Sequence, residues 1–135
     1  MEIVDNAAVR FTASNSFAAE ITARLDRSEV IADNKQSKDL LVCWDHGEMK
    51  TLANYLDVFL PSQTIPKVPS PMQRDYTWPG FYTPFAHQKD TAYFLGLRQR
   101  AFCFNEAGTG KTSAAIWAAD YLMNQGIIKK VLVLS

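Results

Sequence analysis

Residues 105–112 read Asn105-Glu106-Ala107-Gly108-Thr109-Gly110-Lys111-Thr112. They stand between an apolar run, Ala101-Phe102-Cys103-Phe104, and a helical pattern that begins near Thr112. A strand-like stretch, a glycine-rich loop and a helix, in that order, constrain this chain more than any other feature, because the order is that of a loop that holds phosphate. Gly108 and Gly110 lack a Cβ, so the backbone there can take left-handed dihedrals and come close to a ligand. Successive N–H groups then converge on an anion, and the following helix points its positive end at it. A triphosphate suits such a cradle. Lys111 would reach the β- and γ-phosphates as a point charge, and Thr112 would offer its hydroxyl to Mg²⁺. The candidate residues for ATP and Mg²⁺ are therefore Gly108, Thr109, Gly110, Lys111, Thr112 and Ser113. Lys111 is the catalytic candidate and Thr112 the metal contact. The pattern G-x-x-x-x-G-K-[ST] is met except at Asn105, which stands where the first glycine would.

Gln88 lies 23 positions before Lys111, within Thr83-Pro84-Phe85-Ala86-His87-Gln88. A carboxamide presents a donor and an acceptor side by side, which matches N6 and N7 of adenine. By itself a glutamine there reads as a solvated first-turn residue; taken with the loop at this spacing, Gln88 joins the candidate nucleotide-binding set. Phe85 or Tyr82 could pack on the base or serve as core.

With these residues in view, the stretch from Pro69 to Ser135 resembles the Swi/Snf-like DEAD/DEAH-box helicases of superfamily two, in particular their bacteriophage-encoded branch. The likeness rests on Tyr76-Thr77-Trp78-Pro79-Gly80, on Pro84-Phe85-Ala86-His87-Gln88 and on residues 100–112. Asn105 to Thr112 is similar to the Swi/Snf form of motif I, D-E-M-G-L-G-K-T, with Asn for Asp, Ala for Met and Thr for Leu. Val131-Leu132-Val133-Leu134-Ser135 is similar to the strand that leads into motif Ia. The resemblance implies an ATP-dependent DNA helicase or translocase with a RecA-like nucleotide-binding lobe, Gln88 selecting adenine, and double-stranded DNA as partner. Hydrolysis in that class also needs an acidic motif that holds Mg²⁺ and arginines that stabilise the transition state. Residues 113–135 contain neither motif. The chain is thus expected to be an N-terminal portion of a longer ATPase, binding ATP weakly by itself and hydrolysing essentially none. A phosphate-loop small-molecule kinase, or a truncated non-enzymatic module that binds protein or DNA, are the competing functions.

The expected fold class is α/β: a small N-terminal unit over 1–60, a proline- and aromatic-rich linker over 61–84, and the first elements of a RecA-like parallel sheet over 85–135. All six prolines fall between Pro61 and Pro84, which blocks regular structure there. Before them, Val9 and Phe11 alternate with polar residues as a half-buried strand does. Phe17, Ile21 and Leu25 follow a cap at Asn15-Ser16 with helical spacing. Leu40 to Trp44 reads as a buried strand, and Met49, Leu52, Leu56 and Phe59 line a second helix. Asn34 to Asp39 reads as a solvated loop. After the linker, a helix over 87–97, a strand over 101–104, a helix over 112–125 and a strand over 131–134 are expected. Ala115, Ile116, Ala119, Leu122 and Met123 would face the sheet, Trp117 and Tyr121 would be core, and Gly126 would end the helix.

Composition narrows the class. At 47% hydrophobic and 21% charged, the 135 residues read as one ordinary globular chain rather than a disordered one. Fourteen basic and fourteen acidic residues cancel, so no global charge speaks for nucleic acid. Cys43 and Cys103 form no C-x-x-C, and His46 and His87 are isolated, which argues against a disulfide framework or zinc site. The sequence has no apolar run of bilayer length and no signal-like start, so a cytoplasmic location, in the host if phage-encoded, is the expectation.

Overall fold

The computed structural model of the chain describes residues 1–59, 67–80, 83–103 and 110–134. It is mixed α and β, with two compact units, Met1–Pro71 and Met72–Ser135.

The first unit contains β1 (Glu2–Val4), β2 (Ala8–Ser14), α1 (Asn15–Thr22), β3 (Ser28–Asp33), β4 (Ser37–Cys43) and α2 (His46–Phe59). The strands form one antiparallel sheet in the order β1-β2-β4-β3. β1 and β2 are joined at Asp5 and Asn6, with φ of 51° and 55°. The Ala7 N–H donates to the Val4 carbonyl across this turn, at 3.1 Å. Two positive φ angles are what the primed hairpin turns require, and Asp and Asn tolerate them better than most residues. Val9 sits opposite Val42, and Phe11 opposite Leu40. This register puts the apolar side chains of both central strands on one face. The other face carries Arg10 and Thr12, both of which reach the Asp39 carboxylate, at 3.1 and 2.6 Å.

Ser14 starts α1 by accepting from the Phe17 N–H at 3.3 Å, one position before the expected cap. Asp45 starts α2 by accepting from the Glu48 N–H at 2.8 Å. The buried Glu48 carboxylate turns the other way and holds the Asp26 and Arg27 N–H groups, each at 3.2 Å. α1 and α2 meet where the Phe17 and Tyr55 rings lie 5.7 Å apart. The proline-rich segment joins this core: Val68, Ser70 and Pro71 are buried, and the Trp44 indole N–H donates to the Pro69 carbonyl at 3.0 Å.

Two strands of this sheet, β1 and β3, were not expected from the sequence, and the supposed loop at 34–39 contains the start of β4. Asn34 instead closes the β3–β4 hairpin, donating to the Ser37 carbonyl at 2.9 Å.

The second unit contains α3 (Met72–Asp75), α4 (Ala86–Leu97) and α5 (Lys111–Asn124). Gly126, with φ of 73°, ends α5. The Ile127 N–H reaches back to the Leu122 carbonyl at 2.9 Å and the Gly126 N–H to Met123 at 3.0 Å, the paired bonds of a left-handed glycine stop. α5 buries Ala114, Trp117, Ala118 and Tyr121, a single helical stripe, against Met72, Tyr76 and Ala92. Edge-to-face rings tie the segment before α4 to this stripe. Trp78 lies 5.3 Å from Trp117 and 6.0 Å from Tyr93, and Tyr76 lies 6.1 Å from Tyr121. The Tyr76 hydroxyl donates to Asp120 at 2.8 Å. Burial first, then this carboxylate, raises the Tyr76 pKa above the usual tyrosine range and keeps it a donor.

Three expectations for this unit are corrected. Trp117 and Tyr121 are core, but the stripe expected to face a sheet is not buried, and Ile116 and Met123 are exposed. Residues 101–103 and 131–134 are not in strands, and Phe102 and Leu132 to Leu134 are exposed. A strand exists through hydrogen bonds to a neighbouring strand, and the ladders among the described residues belong to the first unit. The sheet of this structure is antiparallel and lies in the first unit, so the expected RecA-like parallel arrangement is not among the described elements.

Candidate functional site

Two helix N-termini come together in the second unit. α4 begins after Phe85, whose φ of −68° and ψ of 156° are extended. Gln88 occupies the third position of α4, and its Oε1 accepts from the Phe85 N–H at 2.9 Å. That is half of a capping box, with the glutamine returning to the residue that precedes the helix. The rest of the Gln88 carboxamide packs on Gly110, the residue that precedes α5. A Cβ built on Gly110 would overlap the Gln88 amide nitrogen. Gln88 is only 7% exposed as a result.

Gly110 has φ of +79°. It meets the demand for a residue without a Cβ twice, through its left-handed backbone and through the carboxamide against its Cα. α5 then starts without a side-chain cap and with no acidic residue in its first turn. Its positive end therefore meets no carboxylate from its own first turn. Lys111 and Ser113 are half-buried at this end, and Thr112 is exposed. Gly108 and Thr109 lie outside the described residues.

The helices run in the same direction. Gln88 of α4 meets Gly110 at their N-terminal ends, and a Cβ on Gly96, near the other end of α4, would stand 4.0 Å from Tyr121 of α5. Parallel neighbours need a connection that travels back the length of a helix, about 18 Å for twelve residues.

The structure thus brings Gln88 to Gly110, and with it to the start of Lys111, Thr112 and Ser113. One lone pair of the Gln88 oxygen is engaged by its own helix start, a use the sequence does not announce. The signal was present in the spacing: Gln three positions after the residue before a helix is the capping-box offset. Among the described residues there is no group of three His, Cys, Asp or Glu side chains that could hold a metal ion. Nor is any helix among them long and apolar enough to cross a membrane.

In the first unit, a shallow cleft of about 400 Å³ opens beside Arg27, Glu29, Leu41 and Cys43. Arg27 lies 3.5 Å from Asp45 and 4.0 Å from the Cys43 sulfur. The arginine is thus engaged by its own strand ends. Comparison with protein-family models, with curated proteins and with solved structures found no match.

Proposed function

We propose that the second unit binds ATP with Mg²⁺ as the opening part of a RecA-like lobe, in an ATP-dependent DNA helicase or translocase. The observation that supports this is the seating of Gln88 on Gly110. Gln88, expected at the base, and Gly110, expected at the phosphates, meet at the N-termini of two parallel helices. In such a motor Lys111 holds the β- and γ-phosphates, and the α5 N-terminus and the loop glycines bind the remaining oxygens. Mg²⁺ takes few protein ligands and keeps water and phosphate oxygens around it. A single hydroxyl from Thr112 fits an ion carried in by the triphosphate. Bound there, Mg²⁺ would neutralise charge on the phosphates. Nucleic acid, by the same proposal, is engaged by the motor as a whole. Net neutrality of this chain leaves that contact local rather than global.

The test is a titration with a fluorescent ATP analogue in the presence of Mg²⁺. Saturable binding is expected, displaced by ATP in preference to GTP. Lys111→Ala should weaken it at least about tenfold, the scale of one charge-assisted phosphate contact, while the circular dichroism stays unchanged. Gln88→Ala should narrow the ATP over GTP preference. Equal binding by the wild type and Lys111→Ala would remove the phosphate assignment.

A further inference from the structure

In the first unit, β3 ends the sheet order β1-β2-β4-β3. Ser28 and Val30 of this strand stand opposite Val42 and Leu40, and so share the face on which the unit builds its core. Val42 and Leu40 are fully buried there, but Val30 is 44% exposed, and Ile31 after it is exposed as well. The core face is thus left uncovered along this edge. The backbone is open there too. The Cys43 N–H donates to the Arg27 carbonyl at 2.9 Å. Antiparallel ladders alternate, so Glu29 also bonds inward, and Ser28 and Val30 turn their N–H and C=O groups to the outer edge. Charge divides between the strand ends. The Arg27 side chain, just before β3, is 70% exposed and meets Asp45 at 3.5 Å. Asp33, at the far end, is 67% exposed and lies 4.0 Å from Lys38. Exposed ion pairs of this length hold their partners weakly. A strand with a cation at one end and an anion at the other is complementary to an antiparallel copy of itself.

We infer that β3 pairs with β3 of a second copy of this chain, antiparallel and about a twofold axis near Val30. The pairing brings Arg27 of each copy to the Asp33 end of the other, whereas parallel pairing would set like charges together. A twofold axis that runs two edge strands antiparallel is normal to the sheet. Both core faces then look the same way, and the two Val30 side chains cover each other. The contact is isologous and closes on itself. The bulge between Val30 and Ala32 keeps the paired stretch short. At the opposite edge β1 has three residues, too few to carry the sheet further. The product is a dimer and not a fibre.

The experiment is sedimentation equilibrium of the full chain, in a series up to about 1 mM, the weak end of specific association. A monomer–dimer equilibrium is expected for the wild type. Arg27→Glu and Asp33→Arg should each raise the dimer dissociation constant about tenfold or more, because a twofold contact counts each change twice and replaces attraction with repulsion. The double variant, Arg27→Glu with Asp33→Arg, should return to the wild-type constant. Loss of the pairs with Asp45 and Lys38 inside one copy gives no such recovery. Val30→Lys should leave a monomer. A wild type that stays monomeric across the series overturns the inference. So does a dimer that survives Val30→Lys, or one that Val133→Lys abolishes, which would place the contact in the second unit. Single charge variants that weaken the dimer with no recovery in the double variant overturn the antiparallel pairing. If Val30→Lys does not fold, the exposed charge variants decide alone.

Discussion

At Gly110 two constraints meet in one residue, and they can be separated by experiment. Its φ of +79° disfavours any side chain, and the Gln88 carboxamide occupies the space a Cβ would need. A left-handed residue with a Cβ costs about 1–2 kcal/mol, and the overlap adds to it. Gly110→Ala is therefore expected to destabilise the second unit by about 2 kcal/mol or more. Combined with Gln88→Ala, the overlap is relieved and only the backbone cost remains, so the double variant should lose less than the sum of the two singles. Chemical unfolding of the four proteins checks this, and strict additivity would mean that the two residues do not press on each other. At this scale the candidate residues stand out by type and spacing, Gln88, Gly110 and Lys111 among them, and the structure brings Gln88 to Gly110. The bond from Phe85 to Gln88 was less legible, since a capping box is only one of several uses of a glutamine in a first turn.

At the scale of elements, His46 at the start of α2 shows how an isolated residue acquires a titration. Burial chiefly, and Lys50 next, lower its pKa from 6.5, against the opposing pull of Asp45. The folded state then binds this proton less well than the unfolded chain. Stability from this residue is complete above pH 6.5 and is lost as the pH falls from 6.5 through the lower folded value. His46→Gln should flatten that part of the profile, measured as urea midpoints at about pH 7.5 and about pH 5.5. A wild-type slope that survives the substitution would assign the effect to another group. The helices themselves were largely readable, because 3.6-residue periodicity is a local property. α5 is legible almost to the residue, and Trp117 and Tyr121 are core as expected; the aliphatic stripe expected beside them is not buried, and the alanines at 114 and 118 complete the face that packs. The two aromatic rings hold far more surface than the alternatives, and Tyr76 and Trp78, remote in sequence, supply their partners.

At the scale of the whole molecule, the apolar surface left open is concentrated in the second unit. Ile116, Phe102 and Leu132 to Leu134 are all exposed. Consecutive exposed β-prone residues promote association through unpaired backbone. Val133→Lys is expected to lower light scattering at high protein concentration without lowering the melting temperature, because Val133 contributes little to a core. A fall in melting temperature would show that the residue is packed. What the sequence by itself determined was whatever depends on near neighbours: the two strongest helices, the glycine stop at Gly126, the glycine-rich segment before Lys111, the alternation in β2 and the apolar run Leu40 to Cys43 in β4. Only the tertiary structure decided the rest. β1 and β3 are strands because β2 and β4 pair with them, while 101–103 and 131–134, with comparable β propensity, are not in strands. Gln88 meets Gly110 because Ala92, Ala114 and Ala118 share one core that holds α4 and α5 side by side. Strand pairing and helix packing are relations between distant residues, and no local pattern specifies the partner.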